Sequence, residues 1–326
     1  MKSNSPSPET SFDLIAVGLN AVDVLVRLPS EIKHDDKQFV DDLMIQGGAP
    51  VGSGSAGVAR MGYRTAFVSR LGDNTLSAIC LEEYRTSGVS ADLVVRDERS
   101  RPAIALVEID PETSARTVFI QMDNYGYVKP EDVPASEIAA AKVLLVDSYD
   151  LDATEAALNA AQGTPCRTVL DFEAGDKERM TRLLALGTDA ILPLASARHL
   201  TGRDAPEEAV KALAEMTEGQ VIATDGINGS WAWDRARESI RTQAVFPVQA
   251  MDSTGCGDAY HAGYIIGLLE GWDLQLRMEM GSLLASRVAS QVGGRTALPF
   301  RKEADSLLRP DVSDKLQSHL KALAER

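Results

Sequence analysis

The chain contains little cysteine and no long apolar run. Its 326 residues include three cysteines, Cys80, Cys166 and Cys256, which are scattered and lack the spacing of a metal site. A sparse, odd set of this kind argues against a disulfide framework and is typical of a reducing compartment. No apolar stretch approaches the ~18 residues that a membrane-spanning helix needs. We therefore expect a cytoplasmic protein that does not enter a membrane.

Positive charge is also scarce. Lys and Arg number 33 against 48 Asp and Glu, which gives a formal net charge of −15. Because this excess repels nucleic acids and anionic membrane surfaces, neither is expected as a partner. The four histidines show no metal-ligand spacing either. The hydrophobic content of 44% is ordinary for a globular protein with a large core. Residues 1–11 are polar, and we expect them to form a disordered tail.

Short apolar runs alternate with helix-like segments through most of the chain. Residues 143–146, 167–170, 190–192 and 220–224 each read as a buried strand, and a helical pattern lies between successive strands. This alternation predicts an α/β fold: a doubly wound, mostly parallel sheet flanked by helices. It places Asp147, Asp171 and Asp225 at the carboxyl ends of strands, which is the edge where such sheets bind ligands. Two further runs, 102–109 and 115–121, predict a β-hairpin.

The most informative stretch is residues 251–263, between an apolar run at 242–248 that predicts a strand and a helical segment at 259–269. We call residues 252–258 the glycine turn. Gly255 and Gly257 let the backbone bend, and the following helix directs unpaired N–H groups at the turn, which favours anion binding. Asp258 is a poor phosphate ligand but a suitable general base. The alternative is that Asp258 only caps the helix. His261, one helical turn later, is expected to pack beside it.

The glycine turn reads Asp-Ser-Thr-Gly-Cys-Gly-Asp and resembles the D-T-x-G-A-G-D signature of the ribokinase-like (PfkB) carbohydrate kinases. The resemblance extends over about residues 12–300. It implies ATP and Mg²⁺ as cofactors and Asp258 as catalytic base. It also implies an anion hole made by the amides of Gly255, Cys256 and Gly257. In some relatives a monovalent cation such as K⁺ binds near the position of Asp252.

The same resemblance implies an acceptor site in the first third of the chain. Gly18 to Asp23 has the family spacing Gly-x-x-x-x-Asp, in which the Asp binds sugar hydroxyls. The loop that begins at Gly47 resembles the first family signature, with Ser53 at the usual Asn position, as in a subgroup that includes sulfofructose kinase. The residues assigned to the acceptor are Asn20, Asp23, Gly47, Gly48, Ser53 and Arg101. Arg101 could reach an anionic sugar substituent, although most exposed arginines have no such role.

The nucleotide site is expected in the second half of the chain. Thr224, Gly226 and Gly229 match the family pattern T-x-G-x-x-G beneath the ATP phosphates. The helix at 276–292, with Ser282 and Ala285, is expected beside the adenine. Pro193 and Ser196 stand where the family carries an Asn and a Glu associated with magnesium and phosphate. This departure leaves the manner of Mg²⁺ binding open.

The resemblance also implies a small β-sheet lid formed by about residues 23–46 and 101–121, within one kinase domain of residues 12–326. Related enzymes pair such lids, so we expect a homodimer. The predicted activity is phosphorylation of a hydroxyl on a sugar or sugar derivative. Two alternatives stay open: a non-catalytic sugar or nucleotide sensor on the same fold, and a nucleoside kinase. Ketose, sugar acid, phosphosugar, sulfosugar and inositol kinases share this frame, so the acceptor also stays open.

Overall fold

The computed structural model of the protein describes residues 11–326, so the predicted tail lies almost wholly outside the described residues. The strands, in chain order, are β1 (Leu14–Val17), β2 (Ala21–Arg27), β3 (Leu43–Gly48), β4 (Thr65–Leu71), β5 (Val89–Ser90), β6 (Val94–Arg96), β7 (Ala103–Ile109), β8 (Arg116–Gln121), β9 (Val143–Asp147), β10 (Arg167–Asp171), β11 (Asp189–Pro193), β12 (Gln220–Thr224), β13 (Ser230–Asp234) and β14 (Ser239–Gln243).

The helices, in chain order, are α1 (Pro50–Arg60), α2 (Thr75–Ser87), α3 (Ala135–Ala140), α4 (Leu151–Ala161), α5 (Lys177–Leu184), α6 (Leu194–Thr201), α7 (Pro206–Met216), α8 (Cys256–Leu269), α9 (Leu274–Ala289) and α10 (Asp314–Ala324). Short 3₁₀ segments lie at Pro130–Asp132, Gly226–Asn228 and Arg301–Leu307. No helix within residues 11–326 combines the length and apolar character needed to cross a membrane.

Ten strands form the main sheet, in the order β14-β13-β12-β11-β10-β9-β1-β4-β5, with β6 also paired to β4. The pairs from β12 to β5 and the β4–β6 pair are parallel, whereas β13 and β14 add an antiparallel edge. From the β1–β9 pair, the sheet continues with β4 and β5 on one side and with β10, β11 and β12 on the other. Where the strand order reverses in this way, a crevice for ligands opens at the carboxyl ends of the strands.

Helices cover both faces of this sheet because alternate strand residues point to opposite sides. Leu14 packs with α1, α2, α8, α9 and α10 on one face. The next residue, Ile15, packs with α3 to α7 on the other. A separate four-stranded sheet has the order β3-β2-β7-β8, in which β2 and β7 are parallel. The predicted fold class, a doubly wound α/β sheet with a small second sheet, is confirmed.

One predicted strand is wrong. Of the predicted strand 242–248, only the first two residues lie in a strand, at the end of β14. The residues that follow pass over α9 without regular secondary structure. Side chains of α9 satisfy the backbone there: Ser282 Oγ donates to the Ala244 carbonyl at 2.9 Å, and the Phe246 amide donates to Ser286 Oγ at 3.2 Å. With its hydrogen bonds taken by a helix, this segment needs no neighbouring strand.

Candidate active site

The glycine turn enters α8 through a residue that must be glycine. Gly255 has φ of 73°, in the left-handed region, and a Cβ there would lie 2.4 Å from the Gly294 Cα. Asp252 holds the turn from below: its Oδ1 accepts the Thr254 amide and its Oδ2 accepts the Gly293 amide, both at 2.8 Å. The turn is therefore clamped to the segment that follows α9.

Three backbone N–H groups of the turn have no hydrogen-bond partner among residues 11–326: those of Gly255, Gly257 and Asp258. The Cys256 amide instead donates to the Ser253 carbonyl at 3.4 Å. The amides open to a ligand are therefore those of Gly255, Gly257 and Asp258. We had expected the Cys256 amide in place of the Asp258 amide. We call these three groups the anion hole, because free amides at the start of a 14-residue helix attract negative charge.

The Asp258 side chain lies at the same helix start. Its carboxylate accepts no hydrogen bond from any side chain or amide of residues 11–326, which leaves it open to a substrate hydroxyl. The pKa of Asp258 is raised to about 8, chiefly by burial and also by Glu173 and Asp23, against the opposing charges of Arg116 and Arg295. A carboxyl group tuned upward beside an anion hole can accept a proton while the amides hold developing negative charge.

Asp23 lies inside β2, in the small sheet. The strand begins at Ala21, and Asp23 stands opposite Gln46 of β3 and Ala105 of β7. Its buried carboxylate occupies the space above Gly48, where a Cβ would lie 2.1 Å from the carboxyl atoms. Burial raises the pKa of Asp23 to about 6, with Arg295 and then Arg116 lowering it.

Arg295 is a residue of this region that sequence reasoning did not assign. It is 2% exposed and donates from Nε to Ser53 Oγ at 3.2 Å and from Nη2 to the Gly48 carbonyl at 2.9 Å. A Cβ on Gly47 would lie 2.2 Å from its Nη1. The predicted acceptor loop is therefore built around this guanidinium. The only sequence signal was its position after two glycines.

Arg101, which precedes β7, and Arg116 on β8 make different contacts. The Arg101 guanidinium donates to the Asp123 carbonyl at 2.7 Å and is thus held beside the end of β8. Arg116 on β8 instead reaches the glycine turn, where it donates to the Ser253 carbonyl at 3.2 Å. Its charge lowers the pKa of both Asp23 and Asp258. Arg116, which we did not predict, is thus the arginine of this sheet that lies near the candidate base.

Asn20 and the strand-end carboxyl groups line the same edge. Asn20 is buried, and its Nδ2 has no hydrogen-bond partner within residues 11–326. Asp147 and Asp171 are the last residues of β9 and β10, and Asp225 directly follows β12, as predicted. Burial raises the pKa of Asp147 to about 7, while the amides of Tyr149 and Leu19 that it accepts oppose this.

The residues assigned to the nucleotide lie at the carboxyl end of β12 and on α9. Thr224 ends β12, and Gly226 and Gly229 bracket the following 3₁₀ turn with φ of 49° and 89°. The Ser282 hydroxyl is already used by the Ala244 carbonyl, and Ala285 is half-buried one turn along α9. Thr224 and the two glycines thus lie in a short turn at the ligand edge of the sheet, whereas the Ser282 hydroxyl hydrogen is engaged within the protein.

No cluster of three or more His, Cys, Asp or Glu side chains in residues 11–326 is arranged to hold a metal ion. Both Asp252 oxygens are engaged by amides, and at Pro193 and Ser196 the protein lacks a carboxylate. The described chain therefore supplies no cage of its own for Mg²⁺, an ion that in any case binds largely through substrate phosphates and water.

Comparison with known proteins agrees with this geometry. Residues 44–301 match the model of the pfkB family carbohydrate kinases. The chain belongs to this family. A 5-dehydro-2-deoxygluconokinase of Shouchella clausii is 26% identical over 319 residues, covering 91% of this chain and 95% of that protein. The prediction of a carbohydrate kinase is confirmed.

Solved structures of this kinase fold are also similar. A ribokinase of Arabidopsis thaliana, solved in complex with ribose and ATP, has a TM-score of 0.77 and 20% identity, covering 92% of this chain and 99% of that one. An adenosine kinase of Sinorhizobium meliloti has a TM-score of 0.74 and 21% identity, covering 89% and 98%. At this level of identity the likeness concerns the fold alone.

Proposed function

We propose that this pfkB-family kinase transfers the γ-phosphoryl group of ATP to a hydroxyl of a sugar or sugar derivative, with Asp258 as general base. The observation that carries the proposal is a carboxylate without hydrogen bonds at the rim of an anion hole. Asp258 takes the proton of the attacking hydroxyl, and the amides of Gly255, Gly257 and Asp258 stabilise charge on the transferred group. Phosphoryl transfer needs this combination of positioning and electrostatic stabilisation.

The acceptor is held on the other side of Asp258. Asp23 offers carboxylate oxygens to sugar hydroxyls, with Asn20 beside it. Arg295 fixes the loop of Gly47, Gly48 and Ser53 beneath them. The small sheet acts as a lid over this site, since it carries Asp23 on β2 and Arg116 on β8. Arg101, tied to Asp123, takes no direct part.

ATP lies along the edge formed by Thr224, Gly226 and Gly229 and reaches the anion hole with its terminal phosphate. Mg²⁺ would be held mainly by these phosphates and by water, since the described residues offer no cluster of carboxylates for it. K⁺ would bind beneath the turn at Asp252, where it would share a carboxylate that already accepts two amide N–H groups. Activity with Na⁺ or K⁺ as the sole monovalent cation tests that point.

The names of curated relatives support a proposal for the acceptor class. Because curated relatives along nearly the whole chain are named 5-dehydro-2-deoxygluconokinases, we propose a sugar acid or a related keto sugar as acceptor. A coupled ADP-release assay should compare 5-dehydro-2-deoxygluconate with fructose, ribose and adenosine. We expect the sugar acid or ketose to show the highest kcat/KM. Turnover with adenosine alone would instead establish a nucleoside kinase, and release of ADP without any phosphorylated product would refute sugar phosphorylation.

A further inference from the structure

A buried histidine lies directly behind the anion hole. His261 is on α8, one turn after Asp258, and is 4% exposed. Its Nδ1 lies 2.9 Å from the Gly257 carbonyl oxygen, and its Nε2 lies 3.1 Å from the Ile191 carbonyl oxygen of β11. The ring therefore bridges the first turn of α8 and the main sheet.

Both of these partners can only accept hydrogen bonds. A neutral imidazole carries a single N–H, so it would turn a nitrogen lone pair toward one of the two carbonyl oxygens. The imidazolium donates from both nitrogens and satisfies both contacts. Asp171, at the end of β10, can supply the counter-charge. Its Oδ2 lies 3.4 Å from His261 Nδ1, and both side chains are buried.

The surroundings of this pair are acidic. Asp171 is faced by Glu173 from the segment after β10, Asp258 from α8 and Asp147 from β9. Burial raises the pKa of Asp171, as do these carboxyl groups; burial lowers the pKa of His261, and its two carbonyl contacts oppose that. Burial alone works against an ion pair. The two hydrogen bonds to carbonyl oxygens and the carboxylate of Asp171, when ionised, favour a cation at His261.

The contact between His261 and Gly257 acts on the catalytic centre through one peptide unit. The Gly257 carbonyl belongs to the same amide as the Asp258 N–H, which is part of the anion hole. A hydrogen bond donated to a carbonyl polarises its amide and makes the N–H of that amide a stronger donor. A charged donor polarises it more than a neutral one.

We propose that His261, ionised and balanced by Asp171, is a positioning residue that strengthens the Asp258 amide of the anion hole for phosphoryl transfer. The catalytic half of this inference rests on the proposed function, but the state of His261 can be measured without any substrate.

The first test counts protons by ¹⁵N NMR of the four histidine side chains, at a pH about two units above the ordinary histidine pKa of ~6.5. The signal missing from His261→Gln identifies His261. We expect both of its nitrogens to carry hydrogen in the wild type, and only one in Asp171→Asn. A singly protonated His261 in the wild type would overturn the proposal, whatever the activity of any variant.

The second test is kinetic. Loss of a whole oxyanion-hole donor costs about 10²–10³-fold in kcat, so loss of its polarisation should cost less, about tenfold, in His261→Gln. KM for ATP and for the acceptor should stay near the wild-type values. Asp171→Asn should lower kcat in the same way, and the double variant should add little to either. His199→Gln, at an exposed position, is the matched control. A folded His261→Gln with wild-type kcat, or additive losses in the double variant, would contradict the mechanism.

Discussion

At the scale of single residues, the raised pKa of Asp258 sets the pH range in which this residue can act as a general base. The fold raises its pKa to about 8, chiefly by burial, so near neutral pH it is largely protonated in the free protein. A general base must be ionised before it can accept the proton of the acceptor hydroxyl. Its working range therefore begins near pH 8 in the free enzyme, and kcat/KM should fall as the pH is lowered through that value.

Replacing Asp258 by Asn should leave a folded protein that still binds nucleotide but loses turnover. The amide keeps the size of the side chain and cannot take a proton, and general-base contributions amount to about 10²–10⁴-fold. Steady-state kcat and calorimetric nucleotide binding measure the two halves of this prediction. The control is Asp92→Asn, which makes the same substitution at an exposed site distant in sequence from Asp258. More than about half of the wild-type kcat in Asp258→Asn would disprove the assignment.

The same substitution should change how stability depends on pH. The pKa of Asp258 is raised from 3.8 to about 8, so between these values the native state holds its proton more tightly than the unfolded state. That stabilisation is complete below pH 3.8 and is lost as the pH rises through about 8. Asp258→Asn should therefore gain stability relative to wild type on going from pH 5 to pH 9, measured by urea unfolding. An unchanged difference at the two pH values would contradict the raised pKa.

Asp23→Ala should chiefly weaken the acceptor. The carboxylate lies over Gly48 on the lid side of the site, and losing two hydrogen bonds from a charged group would cost roughly 2–4 kcal/mol. KM for the acceptor should rise while KM for ATP changes little. Isothermal titration with the acceptor provides an independent check. If acceptor affinity is unchanged, Asp23 supports the small sheet only and the sugar binds elsewhere.

At the scale of elements, α8 carries the base and is packed very closely against α9. A Cβ on Gly263 would lie 2.5 Å from the Met280 carbonyl oxygen and 2.8 Å from the Gly281 Cα, both backbone atoms that cannot turn aside. Gly263→Ala should destabilise the protein by about 1–3 kcal/mol, as overpacking does, despite the better helix propensity of alanine. Gly257→Ala in the same helix has no atom within 4 Å of its Cβ and should be near neutral. Urea midpoints compare the two, and equal midpoints would contradict the packing argument.

The sequence predicts elements well where local pattern and tertiary partners agree. The strands and helices of the α/β repeat and the glycine turn have signals of their own, in strand runs, helix periods and turn residues. The run 242–248 misleads because α9 satisfies its backbone. Arg295 and Arg116 are missed because their roles arise from contacts across more than 130 residues of chain, and an arginine in sequence looks like any surface cation.

At the scale of the whole molecule, the small sheet has one covered face and one bare face. Leu25, Val107 and Ile109 pack with Val292 on the covered side. On the other side Ile45, Leu106 and Phe119 form a row across neighbouring strands through Val24, and all three are exposed. The sheet also ends in two free edges within the described chain, β3 and β8. A row of exposed apolar side chains beside open edges is typical of an interface.

We expect two copies of the chain to pair through these sheets as a symmetric homodimer, which would cover the apolar row and the edges together. Light scattering at micromolar concentration should give about twice the 35.0 kDa mass of one chain. Leu106→Lys places a charge at the centre of the row and should shift the mass toward the monomer, since a buried unpaired charge strongly disfavours association. Ile227→Lys, at a site 88% exposed outside the small sheet, should leave the mass unchanged. A wild-type mass near 35.0 kDa would refute the dimer, and a dimer that survives Leu106→Lys would place the interface elsewhere.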